Sequence, residues 1–164
     1  MYRIPRIDCN VACPASLEEA FARTVRETVA CNNWPADFPY APQVGFRIFH
    51  TGADLLLRFD VAERCTAART LDDNGPVWTD SCYNFECNCI GTLLVGHRRD
   101  RTQAEHAPAE VLRTVRRRAT YPHAPLPETE GDNRWTLTLA IPAAALFRDR
   151  IAGWDGVRGA MNLY

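Results

Sequence analysis

Three segments in which apolar residues recur at every second position constrain the fold of this chain more than any other feature. Apolar residues stand at positions 44, 46 and 48, then at 55, 57, 59 and 61, and later at 135, 137, 139 and 141. A period of two is typical of a β-strand that buries one face. The turn-like stretch His50–Asp54 separates the first two segments, which predicts a hairpin.

Strands dominate the remaining pattern, and no regular alternation of strands with helices occurs. Short helices are expected only after Ser16, where Glu19 completes a capping-box pattern, and after Pro108, which suits a first helical turn. We therefore predict an all-β fold, an antiparallel β-sandwich with short helical insertions. The absence of internal repeats in 164 residues suits a single domain over residues 1–164.

The near-zero net charge argues against partners whose binding requires a strongly charged protein surface. Nineteen basic residues, all arginine, stand against 20 acidic ones, and the net charge is −1. We therefore expect neither nucleic acid nor a membrane as partner, and no apolar run approaches the roughly 20 residues of a membrane span. Residues 1–8 lack the apolar block of a secretory signal, which favours a cytoplasmic location. Seven cysteines, without a C-x-x-C pair, predict neither a closed disulfide set nor a zinc site.

Residues 83–89 form the segment with the most functional information. Read as one strand, this segment places Asn84, Glu86 and Asn88 together on one face and apolar residues on the other. Amides donate and accept hydrogen bonds and a carboxylate accepts them, so such a row suits the vicinal hydroxyls of a sugar. An ordinary solvated strand face remains the alternative.

Trp78 and Asp80 lie just upstream, in the turn-rich stretch 72–82. A tryptophan beside a turn can stack on a sugar ring, although a core position is the alternative. Asp80 and Glu86 could instead form the carboxylate pair of a glycoside-active enzyme. The Asp-rich turn leaves structural calcium open, without the spacing of an EF-hand. A nucleophile elbow, a P-loop and a dinucleotide fingerprint do not occur.

Several motifs resemble the carbohydrate-binding family 9-like proteins of gut-type bacteria. They lie at Asn33–Tyr40, Asp73–Cys82, Tyr83–Gly91, His106–Val111 and Trp135–Pro142. The resemblance implies a β-sandwich that binds a mono- or oligosaccharide without catalysis or cofactor, by tryptophan stacking and a polar strand face. It also implies the possibility of structural calcium, found in some relatives. The carbohydrate-binding residues it predicts are Trp78, Asp80, Asn84, Glu86 and Asn88; no catalytic or metal-binding residue is predicted.

Two departures from the family pattern bear on this expectation. Roughly 10 residues, about a strand and a turn, are lacking after Cys82, and the family continues past Tyr164 through a loop with a second stacking ring. A protein-interaction domain that has lost sugar binding is therefore one alternative to a saccharide-binding module. A haem-binding sandwich is another, for which Met1 and Met161 are the only methionine ligands.

Overall fold

The computed structural model describes residues 2–32, 35–37, 39–80, 82–83, 86–98 and 104–160. The described strands are antiparallel and the two helices are short, which confirms the predicted fold class. The elements are α1 Pro14–Ala22, β1 Glu27–Thr28, β2 Gln43–His50, β3 Asp54–Ala68, β4 Cys82–Tyr83, β5 Cys87–Asn88, β6 Gly96–Arg98, β7 Ala104–His106, α2 Ala109–Leu112, β8 Arg116–Ala119 and β9 Leu126–Pro142. Val77–Thr79 and Ala143–Ala145 form single 3-10 turns.

A five-stranded sheet in the order β1-β2-β3-β9-β8 is the main layer. Its centre consists of the three segments with alternating residues. The predicted hairpin joins β2 to β3, with Ile48 opposite Leu57, and its turn contains Gly52 at φ 93°. β9 returns along β3, with Leu57 opposite Leu139. The alternation thus predicted these three strands correctly.

One face of this sheet carries the main core. Phe59 and Leu137 are completely buried there, and the residues packed against them include Leu93 and Leu112. These two residues belong to the second layer, which contains the short strand pairs β4–β5 and β6–β7 and helix α2. Burial of a large apolar side chain of this kind stabilises the fold by about 1.5–3 kcal/mol.

Helix α1 covers one end of the opposite face. Its Phe21 ring meets Phe49 of β2 edge to face, with centroids 5.0 Å apart and planes at 73°. The helix begins earlier than the capping-box pattern indicates: Cys13 is the N-cap, without a side-chain cap, and Pro14 opens the first turn. Ser16 instead accepts a hydrogen bond from the backbone N–H of Asn10 at 2.9 Å.

The predicted strand over residues 83–89 is wrong. β4 and β5 are separate strands that pair with each other, Cys82 opposite Asn88 and Tyr83 opposite Cys87, so the chain reverses between them. Their partners are local, and periodicity alone does not reveal a reversal at so short a range.

The three prolines of residues 121–132 predict a loop, and this prediction is partly wrong. β9 already begins at Leu126, and Thr129 lies opposite Thr66 on the extended end of β3. The paired ends of β3 and β9 form a two-stranded ribbon, in which the β9 residues 127–132 are exposed. The composition of this part of β9 is therefore typical of a loop, although its backbone is paired. The sequence of residues 157–164 also predicts a last strand, but residues 157–160 are not in a strand and 161–164 lie outside the described residues.

Candidate functional site

Trp78 lies in the 3-10 turn Val77–Thr79 and is presented to solvent. The residue is 61% exposed, whereas Val77 beside it is completely buried. The N–H groups of Thr79 and Asp80 donate to the carbonyls of Pro76 and Val77 at 3.0 and 3.1 Å, and the Thr79 hydroxyl donates to Pro76 at 2.8 Å. A large exposed aromatic side chain on an anchored turn is a feature of recognition surfaces.

The Asp80 carboxylate fastens this turn to the end of β3. Its Oδ1 accepts from the backbone N–H of Arg69 at 2.9 Å, and its Oδ2 accepts from that of Thr70 at 2.9 Å and from the Asn88 amide at 3.0 Å. Burial alone would raise the pKa of Asp80, but these hydrogen bonds outweigh it and hold the pKa below its usual value. Asp80 is therefore a fixed carboxylate anchor.

Asn88 lies in the interior, contrary to the solvent-facing row that the alternation predicted. Its residue is 0% exposed. Nδ2 donates to the Thr70 carbonyl at 2.9 Å as well as to Asp80, and Oδ1 accepts from the N–H of Thr92 at 2.8 Å. The physical reason is that both residues of β5 are enclosed between the layers, so successive side chains do not alternate between core and solvent.

Glu86 precedes β5 at the chain reversal. Its φ of 32° lies in the left-handed region, its carbonyl accepts from the N–H of Leu94 at 3.1 Å, and its side chain is half-buried. Asn84 lies outside the described residues. The structure thus joins Asp80 directly to Asn88 by a hydrogen bond and places Glu86 immediately before the strand that contains Asn88.

This geometry does not favour Asp80 as the acid of a glycosidase pair. A general acid needs a carboxyl group whose pKa is raised, so that it holds a proton at working pH. The hydrogen bonds to Asp80 act in the opposite direction and lower its pKa, although burial alone would raise it.

A separate cleft of about 570 Å³ opens beside the Gly91 turn, within the size range of small-molecule sites. The sequence patterns do not identify this cleft as a candidate site. The only local signal was an aromatic residue and a histidine close together in a proline-rich stretch. Its lining residues are Leu71, Asp72, Asp73, Ile90, Gly91, Arg117, Ala119, Tyr121 and His123.

Arg117, Asp73 and His123 in this cleft are already engaged with protein. Arg117 donates through Nη1 and Nη2 to both carboxylate oxygens of Asp73 at 2.6 and 2.9 Å. Its other N–H bonds go to three backbone carbonyls, those of residues 91, 112 and 115, which accounts for all five donors of a guanidinium. His123 shares a 3.2 Å hydrogen bond with the Thr92 hydroxyl. This arrangement favours a structural clamp over a ligand contact.

The described part of the chain contains no group of three or more His, Cys, Asp or Glu side chains placed to hold a metal ion. Nor does it contain a helix of the length and apolarity that a membrane crossing requires.

The antiparallel strands and the two short helices define the class, a β-sandwich. A family model for carbohydrate-binding family 9 matches residues 13–164, and the chain belongs to this family. A crystal structure from Bacteroides uniformis, described as a "putative carbohydrate-binding protein", is similar to the chain. It shares 32% identity with a TM-score of 0.84, over 93% of this chain and 77% of that one. Comparison with curated proteins gives no match.

Proposed function

We propose that this protein is a non-catalytic module that binds a mono- or oligosaccharide by stacking a sugar ring on Trp78. The observation that carries the proposal is the 61% exposure of this residue beside a completely buried Val77. A rigid, exposed aromatic face loses little entropy on binding, and its π-system suits the C–H face of a sugar ring.

The polar residues around the turn divide into two roles in this proposal. Glu86, which precedes β5, and Asn84, two residues earlier in the sequence, supply hydrogen bonds to sugar hydroxyls. Asp80 and Asn88 are positioning residues, because their polar atoms bind Arg69, Thr70, Thr92 and each other. Neither catalysis nor a metal ion is needed for this binding.

The affinity of such a site is modest. One stacked ring and a few hydrogen bonds must offset the entropy lost on association, so we expect a Kd of order micromolar to millimolar.

The test is calorimetric and tryptophan-fluorescence titration of the intact protein with neutral mono- and oligosaccharides. Saturable binding is expected, unchanged by calcium or EDTA, with no hydrolysis product afterwards. Trp78→Ala should lower the affinity at least about tenfold, a loss of about 1.4 kcal/mol or more. Tyr121→Ala, in the cleft beside Gly91, is the matched aromatic control and should retain binding.

Three results would contradict the proposal. Product formation would favour a glycoside-active enzyme. Loss of binding in Tyr121→Ala but not in Trp78→Ala would move the site to the cleft. No response to any sugar would favour a protein-interaction domain.

A further inference from the structure

The sheet face that carries α1 is apolar only at one end. Under the helix, Phe49, Leu56 and Ala140 are buried against it. The next row across the sheet is polar and outside that cluster: Arg47 lies opposite Arg58, Arg58 opposite Thr138, and Thr138 opposite Arg118. Directly paired residues of antiparallel strands share a face, so three arginine side chains belong to one row.

This row places like charges side by side. Arg47 and Arg58 are direct cross-strand neighbours, an arrangement that is destabilising by itself. Asp60 lies between them and accepts from Arg47 Nη1 at 2.8 Å and from Arg58 Nε at 3.0 Å. Arg26 approaches the same carboxylate at 3.8 Å.

Gly45 makes room for this fourth arginine. A Cβ atom at position 45 would lie 2.1 Å from Cζ of Arg26, so the guanidinium lies against the bare backbone of β2. A second polar row of this face contains Gly45, Asp60 and Thr136, which pair directly across β2, β3 and β9. Gly45 has no side chain, and the Arg26 guanidinium takes that position in the row.

The face has an excess of positive charge. Glu18 of α1 pairs with Arg58 and, at 4.0 Å, with Arg118. The described residues of these two rows, together with Glu18, therefore supply four arginines but only two carboxylates. The whole chain, in contrast, carries a net charge of −1. The side chains of Arg26 and Arg118 remain 46% and 59% exposed. We refer to Arg26, Arg47, Arg58 and Arg118 as the arginine face.

We propose that the arginine face binds an acidic saccharide, one that carries carboxylate groups along its chain. The inference rests on the proposed function only in assuming that the ligand is a saccharide. Guanidinium groups recognise carboxylates with two parallel hydrogen bonds, and the excess positive charge supplies the complementarity. Arg47 and Arg118 lie three strand spacings apart, about 14 Å, which suits an oligosaccharide better than a single ring.

The experiment compares a galacturonic acid trimer with the galactose trimer of the same linkage, by titration of the intact protein at low ionic strength. We expect the acidic trimer to bind about tenfold more tightly, because each exposed ion pair adds about two- to fivefold. This preference should fall as added salt shortens the screening length below about 8 Å.

Two double variants carry the test. Arg26→Gln with Arg118→Gln should remove most of the preference for the acidic trimer and leave binding of the neutral trimer unchanged. Arg113→Gln with Arg150→Gln alters the net charge equally at exposed positions outside the face and should keep the preference. Circular dichroism checks that both remain folded.

The outcomes separate this inference from the proposed function. Equal affinity for the two trimers would overturn the proposal for the arginine face. An equal loss of the preference for the acidic trimer in both double variants would overturn it as well. Neither result would contradict the Trp78 site. Binding of dextran sulfate with the same affinity per charge would also overturn it, since that indicates general polyanion attraction. If Trp78→Ala still binds the acidic trimer more tightly than the neutral trimer, this supports the proposal for the arginine face, even if no neutral sugar binds. Failure of the acidic trimer to bind would overturn the proposal for the arginine face, whereas the Trp78 site is tested separately by titration with the neutral mono- and oligosaccharides.

Discussion

The amide of Asn88 makes three hydrogen bonds to protein groups, whereas the Trp78 side chain lies mostly in solvent. Both residues were selected from the sequence as ligand contacts. Composition indicates that an amide or an indole can bind a sugar, but exposure depends on groups distant in the chain. For Asn88 the distant group is the Thr70 carbonyl, which no local pattern around position 88 specifies.

Asn88→Ala should destabilise the fold more than it affects the ligand. The change leaves the Thr92 N–H without its side-chain partner in the interior, at a cost of about 1–3 kcal/mol. It also removes one of the two side-chain hydrogen bonds to the Thr70 carbonyl, which still accepts from the Thr92 hydroxyl. Chemical denaturation measures this loss. Trp78→Ala, an exposed truncation, is the control and should change the free energy of unfolding by less than about 0.5 kcal/mol. Unchanged stability with lost sugar binding in Asn88→Ala would identify it as a ligand contact.

The decrease in the free energy of unfolding at acidic pH should depend on Asp80. Burial alone would raise its pKa, but the hydrogen bonds from Arg69, Thr70 and Asn88 hold it below the unfolded value. A depressed folded pKa contributes stability above the unfolded value, about 3.9, and this contribution is lost as the pH falls through the folded pKa. Asp80→Asn should therefore be less stable than the wild type at pH 7, with the difference narrowing below about pH 4. Unfolding curves that remain parallel down to pH 2 would contradict this assignment.

Among the elements, prediction succeeded where one strand face is mostly buried and the opposite face is covered only at the end under α1. β2, β3 and the second half of β9 have this asymmetry, so their alternation is visible in the sequence. β5 is enclosed on both sides, so the alternation of residue types over 83–89 does not correspond to alternating burial. The first half of β9 is exposed on both sides and shows no period of two. The strand pair β4–β5 and the extended ribbon were consequently missed, because their backbone pairing leaves no signature in residue polarity.

Helix α1 contributes to stability through a few apolar contacts with the sheet. Phe21→Ala removes the edge-to-face contact with Phe49 and a buried ring, and we expect a loss of about 3–5 kcal/mol in the free energy of unfolding. Val25→Ala, at a position 68% exposed just beyond the helix, is the control and should have an effect within about 0.5 kcal/mol. Comparable stability of the two variants would mean that α1 docks too loosely to protect the sheet.

The whole molecule links the Trp78 turn to the core through consecutive buried contacts. Val77 is completely buried, Asp80 joins the turn to the end of β3, and Asn88 joins both to β5. A ligand held by this turn binds the native state and not the unfolded chain, because the turn exists only when β3 and β5 are in place. Saccharide binding should therefore stabilise the entire domain by mass action.

At a neutral saccharide concentration 100 times the Kd, the gain in unfolding free energy should be about 2.7 kcal/mol. Calorimetry should show it as a single unfolding transition whose Tm rises with ligand concentration. Trp78→Ala should show a much smaller rise at the same concentration, whereas Tyr121→Ala should start from its own baseline and rise as the wild type does. If Tyr121→Ala alone loses the ligand-induced rise, the cleft beside Gly91 is the binding site and the exposed turn is not.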